Sequence, residues 1–459
     1  MVLLSMVLLS KAGSLTRDPR TLARGAPQRK NFETRESRPA AGLLNSAWSN
    51  VAFPSSSPRI FRASSSNRHG DWIVERKVQG SAFAKPAPEL GNPVTNLPDQ
   101  PRFQPLPPFT GTNFNLPLED ILPGVTEEAE KAGGLVFHAV GDTGGIHGNE
   151  TQNAVAAAMQ DQIAKADRRE RPRFLFHLGD IVYLNGESSQ YVSQFYEPYQ
   201  YYDAPIFAIP GNHDGETAVE ARGDREREPS LFGFMQNFCS PTPKRFFKHR
   251  STMTQPYCYW RLEAPFVHII GLYSNIDGQL DRRGDQRQQD WFIEQLKSVP
   301  TDKWLVVAVH HPCFSLDETH GGYVEILSAM DGAFKAADRI PDIVLSGHAH
   351  SYQRFSRALF GKSLPYIVAG AGGFANSSRS LHKLQRGLVI DQLPFTTTLS
   401  AVRLESFDVM NAGFLRLTAR PENLTIDCFS VSFDDPPVKC QGAADSVAVA
   451  FVKSKKTAR

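Results

Sequence analysis

Beyond the amino-terminal ten residues no apolar run approaches the eighteen or so that a bilayer-crossing helix needs, so no transmembrane span is expected. Cysteine is scarce: the five residues at 239, 258, 313, 428 and 440 form no CxxC pair and no zinc-ribbon spacing. Cys428 and Cys440 are a candidate disulfide if the chain is exported, which leaves an odd thiol. An excess of charge is lacking too. Fifty Lys and Arg against 48 Asp and Glu leave +2, not the footprint of a nucleic-acid binder, and no nucleic-acid partner is expected. Internal repeats are absent. What is present, 41% hydrophobic and 21% charged residues in 459, fits a globular protein with a sizeable core.

The ends differ from the middle. MVLLSMVLLS has the size of a signal-peptide core, but no positive residue precedes it and no A-x-A pattern follows closely. The next stretch is rich in Arg and Ser and poor in acids, as organelle transit peptides are. Three N-x-S/T triplets stand at Asn149, Asn376 and Asn423, a pattern that also arises by chance, and the expectation is export, with organelle targeting as the alternative. Composition then divides the chain into a targeting or disordered segment (1–70), a Pro-rich extended arm (71–130, with PDQPRFQPLPPF), a catalytic domain (131–435) and a basic carboxyl-terminal tail (436–459).

From Leu135 the pattern changes. Near-continuous apolar runs recur, each closed by Gly, Pro or Asn: LVFHAVGD, RFLFHLGD, PIFAIPGNHD, VHIIGLYS, KWLVVAVHH, DIVLSGHAH and LPYIVAGAGG. Such runs suit strands covered on both faces. Helical spacing lies between them, at Val155, Met159, Ile163 and Ala166, and again at Phe292, Leu296 and Val299. This alternation predicts a largely parallel α/β domain, followed by a hairpin turning at Pro421-Glu422-Asn423.

Five of the strands end in metal-binding side chains, and ligands of open α/β sheets gather at the carboxyl ends of strands. In order, GDTGG offers Asp142, GDIVY offers Asp180 and Tyr183, GNHD offers Asn212 and His213, VAVHH offers His310, and GHAH offers His348 and His350. A single Gly-Asp is most simply a turn. Five in series, each with an oxygen or imidazole, are not five unrelated turns. In an extended segment positions two apart point the same way, so His348 and His350 are expected to reach toward one point. Mixed carboxylate, amide and imidazole donors suit Zn, Mn or Fe. Seven donors exceed one tetrahedral site and suit two ions, which clamp the attacking and leaving oxygens of a displacement at phosphorus and acidify a shared water.

The series D-x-G, GDxxY, GNH(D/E), VxxH, GHxH resembles the purple acid phosphatases within the calcineurin-like metallophosphoesterase superfamily, over residues 134–430. Most of that superfamily carries D-x-H at the first motif. Here Asp142-Thr143-Gly144 is paired instead with Tyr183, the purple-phosphatase pattern. The resemblance implies a four-layer α/β/β/α sandwich with mixed sheets. It implies Fe(III) held by Asp142, Tyr183 and His350, a second ion (Fe, Zn or Mn) held by Asn212, His310 and His348, and Asp180 between them. A phenol of pKa near 10 ionises only beside a strongly acidic cation. His213 resembles the family's phosphate-contacting histidine that protonates the leaving oxygen, and His320 lies near the place of another substrate-side histidine. The expected substrate is a small phosphomonoester, attacked by a metal-bridging hydroxide. The alternatives are a phosphodiester, as in other superfamily members, or a non-catalytic scaffold.

Blander readings stand beside these. Tyr183 also reads as a buried aromatic with a satisfied hydroxyl, and His138 and His177 as core residues. His147 is as much a plain loop histidine as a substrate contact. Alternation points His311 away from His310, and Tyr191, Tyr199, Tyr201 and Tyr202 read as packing residues.

Overall fold

In the strand Trp304–Val309 every side chain is buried, and alternation decides where: Trp304, Val306 and Ala308 enter one apolar cluster, Leu305, Val307 and Val309 another. That is the period of two that a sheet covered on both faces requires. The computed structural model describes residues 89–94, 106–216, 228–247, 250–276, 279–281, 284–434 and 442–450. The expected targeting or disordered segment (1–70) and Cys440 therefore lie outside the described residues.

Counted over the described residues, the larger sheet has nine strands and the smaller six. Four strands of the larger are parallel neighbours at its centre, Val267–Leu272, Trp304–Val309, Ile343–Ser346 and Lys362–Ala369, and antiparallel pairings extend it. In the smaller sheet Leu135–Val140, Leu175–His177 and Ile206–Ala208 are parallel. The hairpin Ala412–Ala419 and Asn423–Val431 joins this sheet beside Leu135–Val140, turning where the sequence places it.

The two sheets meet face to face. Phe137, Phe176, Phe207 and Leu415 of the smaller sheet share a buried cluster with Trp260, Ile269, Val306 and Leu345 of the larger, and the Phe176 and Trp260 rings stack 5.8 Å apart. Each such side chain contributes about 1.5–3 kcal/mol when withdrawn from water. On the outer faces, the helix Glu150–Lys165 packs on the smaller sheet through Val155, Met159 and Ile163, and Arg287–Ser298 packs on the larger through Phe292 and Leu296. The result is the expected α/β/β/α sandwich with mixed sheets.

Three expectations need correction. Residues 115–132 are not an extended arm. Asn115–Pro117 pairs in parallel with Trp260–Glu263, and the helices Leu118–Ile121 and Val125–Ala132 bury Leu118, Val125 and Ala129. Part of the basic tail is ordered as well: Asp445–Ala450 is the edge strand of the smaller sheet, with Asp445 accepting hydrogen bonds from Tyr352 and Arg354. Tyr201 does not pack. It is 71% exposed, whereas Tyr191, Tyr199 and Tyr202 are buried.

Candidate metal centre

The parallel strands of the smaller sheet run out at Asp142, Asp180 and Asn212, and those of the larger at His310 and His348. Two sets of strand ends, one from each sheet, thus converge on one place. The turns that make this possible are strained. Asp142, Asp180 and His348 all sit at positive φ (58°, 53° and 69°), a left-handed conformation that costs a non-glycine residue about 1–3 kcal/mol. Gly179 has φ +100°, and a Cβ there would fall 2.5 Å from His310 Nδ1 and 2.7 Å from Gly211 N, so nothing larger than glycine fits. Asp214, fully buried, ties two of the turns together by accepting the N–H groups of Ile181 (3.1 Å) and Gly211 (2.9 Å).

The seven expected donors come together in two groups that share one member. Tyr183 Oη lies 3.3 Å from Asp142 Oδ1, 3.3 Å from His350 Nε2 and 3.2 Å from Asp180 Oδ2. On the other side Asn212 Oδ1 lies 3.1 Å from His310 Nε2 and 3.0 Å from His348 Nδ1, and His310 Nε2 is 3.3 Å from Asp180 Oδ2. Asp180 stands between the groups. Among the described residues, Asp180, His310 and His348 form a compact set of buried ligand atoms within 4.8 Å of one another.

His348 and His350 do not reach toward one point, contrary to the alternation argument. The strand ends at Ser346, and the left-handed turn at His348 sends its Nδ1 to Asn212 while His350 Nε2 faces Tyr183. His311 is turned away as expected: its Nδ1 pairs with Ser274 Oγ at 2.7 Å. His138 and His177 are buried core residues, bonded to Tyr202 Oη (3.0 Å) and Thr143 Oγ1 (2.8 Å). His147 is exposed, with its ring 5.2 Å from Phe374. His213 packs its ring 4.5 Å from Tyr183, and His320 lies 4.1 Å from the ring of His348.

These groups fit a cation. The Leu178 carbonyl can only accept, so its 2.9 Å bond to His310 Nδ1 puts a proton there and aims the Nε2 lone pair at the Asn212 and Asp180 oxygens. Lone pairs facing lone pairs in a dry pocket need positive charge between them. Protonation can supply some of it. Burial opposes charge on His310, yet Asp180 beside it pushes the imidazole up to about 10. Burial pushes the Asp142 carboxyl up to about 8, with His310 opposing and Asp180 adding to the rise. Burial, then the Asp180 and Asp142 carboxylates, hold the Tyr183 phenol well above its usual value, so tyrosinate requires an ion beside it. Burial pushes His320 down to about 3, and His382 and His350 add to the fall.

Residues 135–352 match the calcineurin-like phosphoesterase family. This stretch of the chain is similar to calcineurin-like phosphoesterases, and among curated proteins the chain is similar to purple acid phosphatases. Purple acid phosphatase 22 of Arabidopsis thaliana is 30% identical over 145 residues, covering 30% of this chain and 32% of its own length. The match thus spans about a third of the length of that curated relative. Tartrate-resistant acid phosphatase type 5 of Homo sapiens is 25% identical over 277 residues, 56% of this chain and 78% of the relative. The solved purple acid phosphatase PPD1 of yellow lupin superposes with a TM-score of 0.48 at 17% identity, covering 69% of this chain and 54% of the other.

Several neighbours of this centre carried no signal in the sequence. Tyr323 Oη bonds His348 Nε2 at 2.9 Å. Phe374 packs 4.2 Å from Tyr183 and 4.6 Å from His350. His382 stacks on His350 at 4.2 Å. None of the three stands in a motif, and each reaches the centre through folding of distant chain.

Proposed function

We propose that this chain hydrolyses phosphomonoesters with two metal ions held by the seven donors at the strand ends. The observation that carries the proposal is the position of Asp180 Oδ2, 3.2 Å from Tyr183 Oη and 3.3 Å from His310 Nε2, a carboxylate shared by two ligand groups. Asp142, Tyr183 and His350 would hold one ion, which the phenol makes Fe(III). Asn212, His310 and His348 would hold the other, as Fe, Zn or Mn. When bound, such a pair supplies Lewis acidity to the phosphoryl oxygens and lowers the pKa of water.

The chain's own groups do the rest. The Leu184 carbonyl accepts from His213 Nδ1 at 2.8 Å, which fixes a proton on that nitrogen and makes Nε2 the one that exchanges a proton with substrate. His213 N donates to Asp180 Oδ1 at 2.9 Å, so the ring is registered to the centre through its own main chain. Its role is to protonate the leaving oxygen, with His320 on the His348 side as a second substrate contact. His213→Ala is expected to keep both ions and lose about 10²-fold or more in kcat, the usual contribution of a general acid. Unchanged turnover in that variant would remove the assignment.

The monoester reading is tested by comparing an aryl phosphate with its bis-ester on the same metal-loaded preparation, before and after chelation. Faster monoester turnover that disappears with the metals and returns with them is expected. Faster cleavage of the diester would replace the substrate class, and turnover that survives complete metal removal would contradict the mechanism.

A further inference from the structure

The loop after the strand Lys362–Ala369 returns across the centre and is sewn down there. Glu318 N donates to Lys383 O (2.9 Å) and Gln385 N to Leu316 O (2.8 Å), while His382 N donates to His350 O (3.1 Å). This brings His382 onto His350 with its ring stacked at 4.2 Å and 19°, and within 4.9 Å of the His320 ring. The side chain keeps 13% exposure, so it stands in the wall of the centre with an edge to solvent.

One hydrogen bond and the stack on His350 fix the ring. The His350 N–H donates to His382 Nδ1 at 3.0 Å. A main-chain N–H can only donate, so Nδ1 offers its lone pair and the neutral ring carries its proton on Nε2. The carboxylate of Asp317, fully buried, lies against the same edge, with Oδ2 3.2 Å from Nδ1. Its other oxygen accepts the N–H groups of Thr319 (2.6 Å) and His320 (2.7 Å). The carboxylate therefore fixes the main chain that carries His320.

We propose that His382 is a further substrate-binding residue, whose Nε2–H donates to a non-bridging oxygen of a phosphoryl group held at the centre, beside His320. The inference rests on the phosphomonoesterase reading above and adds to it a third imidazole contact to the phosphate.

Two substitutions separate binding from bracing. In His382→Asn the amide oxygen takes the place of Nδ1 and still accepts from His350, but nothing reaches as far as Nε2. In His382→Gln the amide nitrogen reaches the Nε2 position. The probe is inorganic phosphate, measured by titration calorimetry on the metal-loaded full chain and as a competitive inhibitor of aryl phosphate turnover, with metal content measured alongside. His382→Asn is expected to keep its metals and bind phosphate about tenfold or more weakly, the loss of one hydrogen bond to a charged group, with KM raised more than kcat falls. His382→Gln is expected to stay within about threefold of wild type, since it keeps a donor at that position. Phosphate affinity unchanged in His382→Asn, or lost only in proportion to metal in both variants, would overturn the inference and leave the phosphomonoesterase reading standing. Failure of the metal-loaded wild type to bind phosphate or turn over any phosphomonoester would overturn both.

Discussion

Asp180→Asn is expected to empty the centre and abolish turnover while leaving the fold in place. Asp180 Oδ2 is the oxygen common to both ligand groups, and its Oδ1 accepts from His213 N at 2.9 Å. An amide in its place is neutral and presents either a weaker donor oxygen or an N–H to an ion. Burial works against charge here, yet His310 and His213 hold Asp180 well below the usual carboxylate range, so the wild-type residue is the anion of the pocket. Losing one preorganised electrostatic contact commonly costs 10²–10³-fold, and this residue would position two ions, so a fall of at least about 10³-fold in kcat/KM is expected. Metal content should fall with it, while circular dichroism stays that of the wild type. Two ions retained and activity within about tenfold would show that Asp180 is not shared between them.

Tyr183→Phe is expected to separate colour from fold. The substitution removes one oxygen and keeps the ring that packs 4.2 Å from Phe374 and 4.5 Å from His213. Burial and two carboxylates keep the phenol protonated in the absence of an ion, so an absorption band from tyrosinate appears only with a strongly acidic cation bound beside it. The wild type loaded with iron should therefore absorb in the middle of the visible range, and Tyr183→Phe should not. Affinity for the ion of that group should weaken by at least about tenfold, since even outer contacts of a metal ligand are worth 10–100-fold. A colourless wild type with two zinc ions would retain hydrolysis and leave Tyr183 a buried aromatic.

What the sequence made legible was local, and what it hid was long-range. Apolar runs ending in Gly-Asp or Gly-His were enough to place Asp142, Asp180, His310 and His348 at strand ends, because both the run and the turn are properties of adjacent residues. Their convergence followed from the rule that strand carboxyl ends face one way. The aim of His348 and His350 was misread because alternation holds only within a strand, and here the strand stops at Ser346 and the next turn is left-handed. Residues 115–132 looked like an arm because Pro and polar residues dominate the stretch before them. Yet a three-residue strand needs only an open sheet edge, which Trp260–Glu263 supplies from far along the chain. The same holds for Asp445–Ala450, whose side chains alternate between half-buried and exposed on the outermost strand. His382 and Tyr323 could not be read at all, since their contacts to His350 and His348 are made by loops with no periodicity.

The central claim is that seven side chains from two sheets hold two ions, with Asp180 between them. Metal stoichiometry of the purified full chain, by elemental analysis after saturation with iron and zinc and removal of loosely held metal, tests it most directly. Two ions per chain are expected in the wild type and near none in Asp180→Asn. A single ion per chain at saturating supply, or two ions undisturbed by Asp180→Asn, would contradict it.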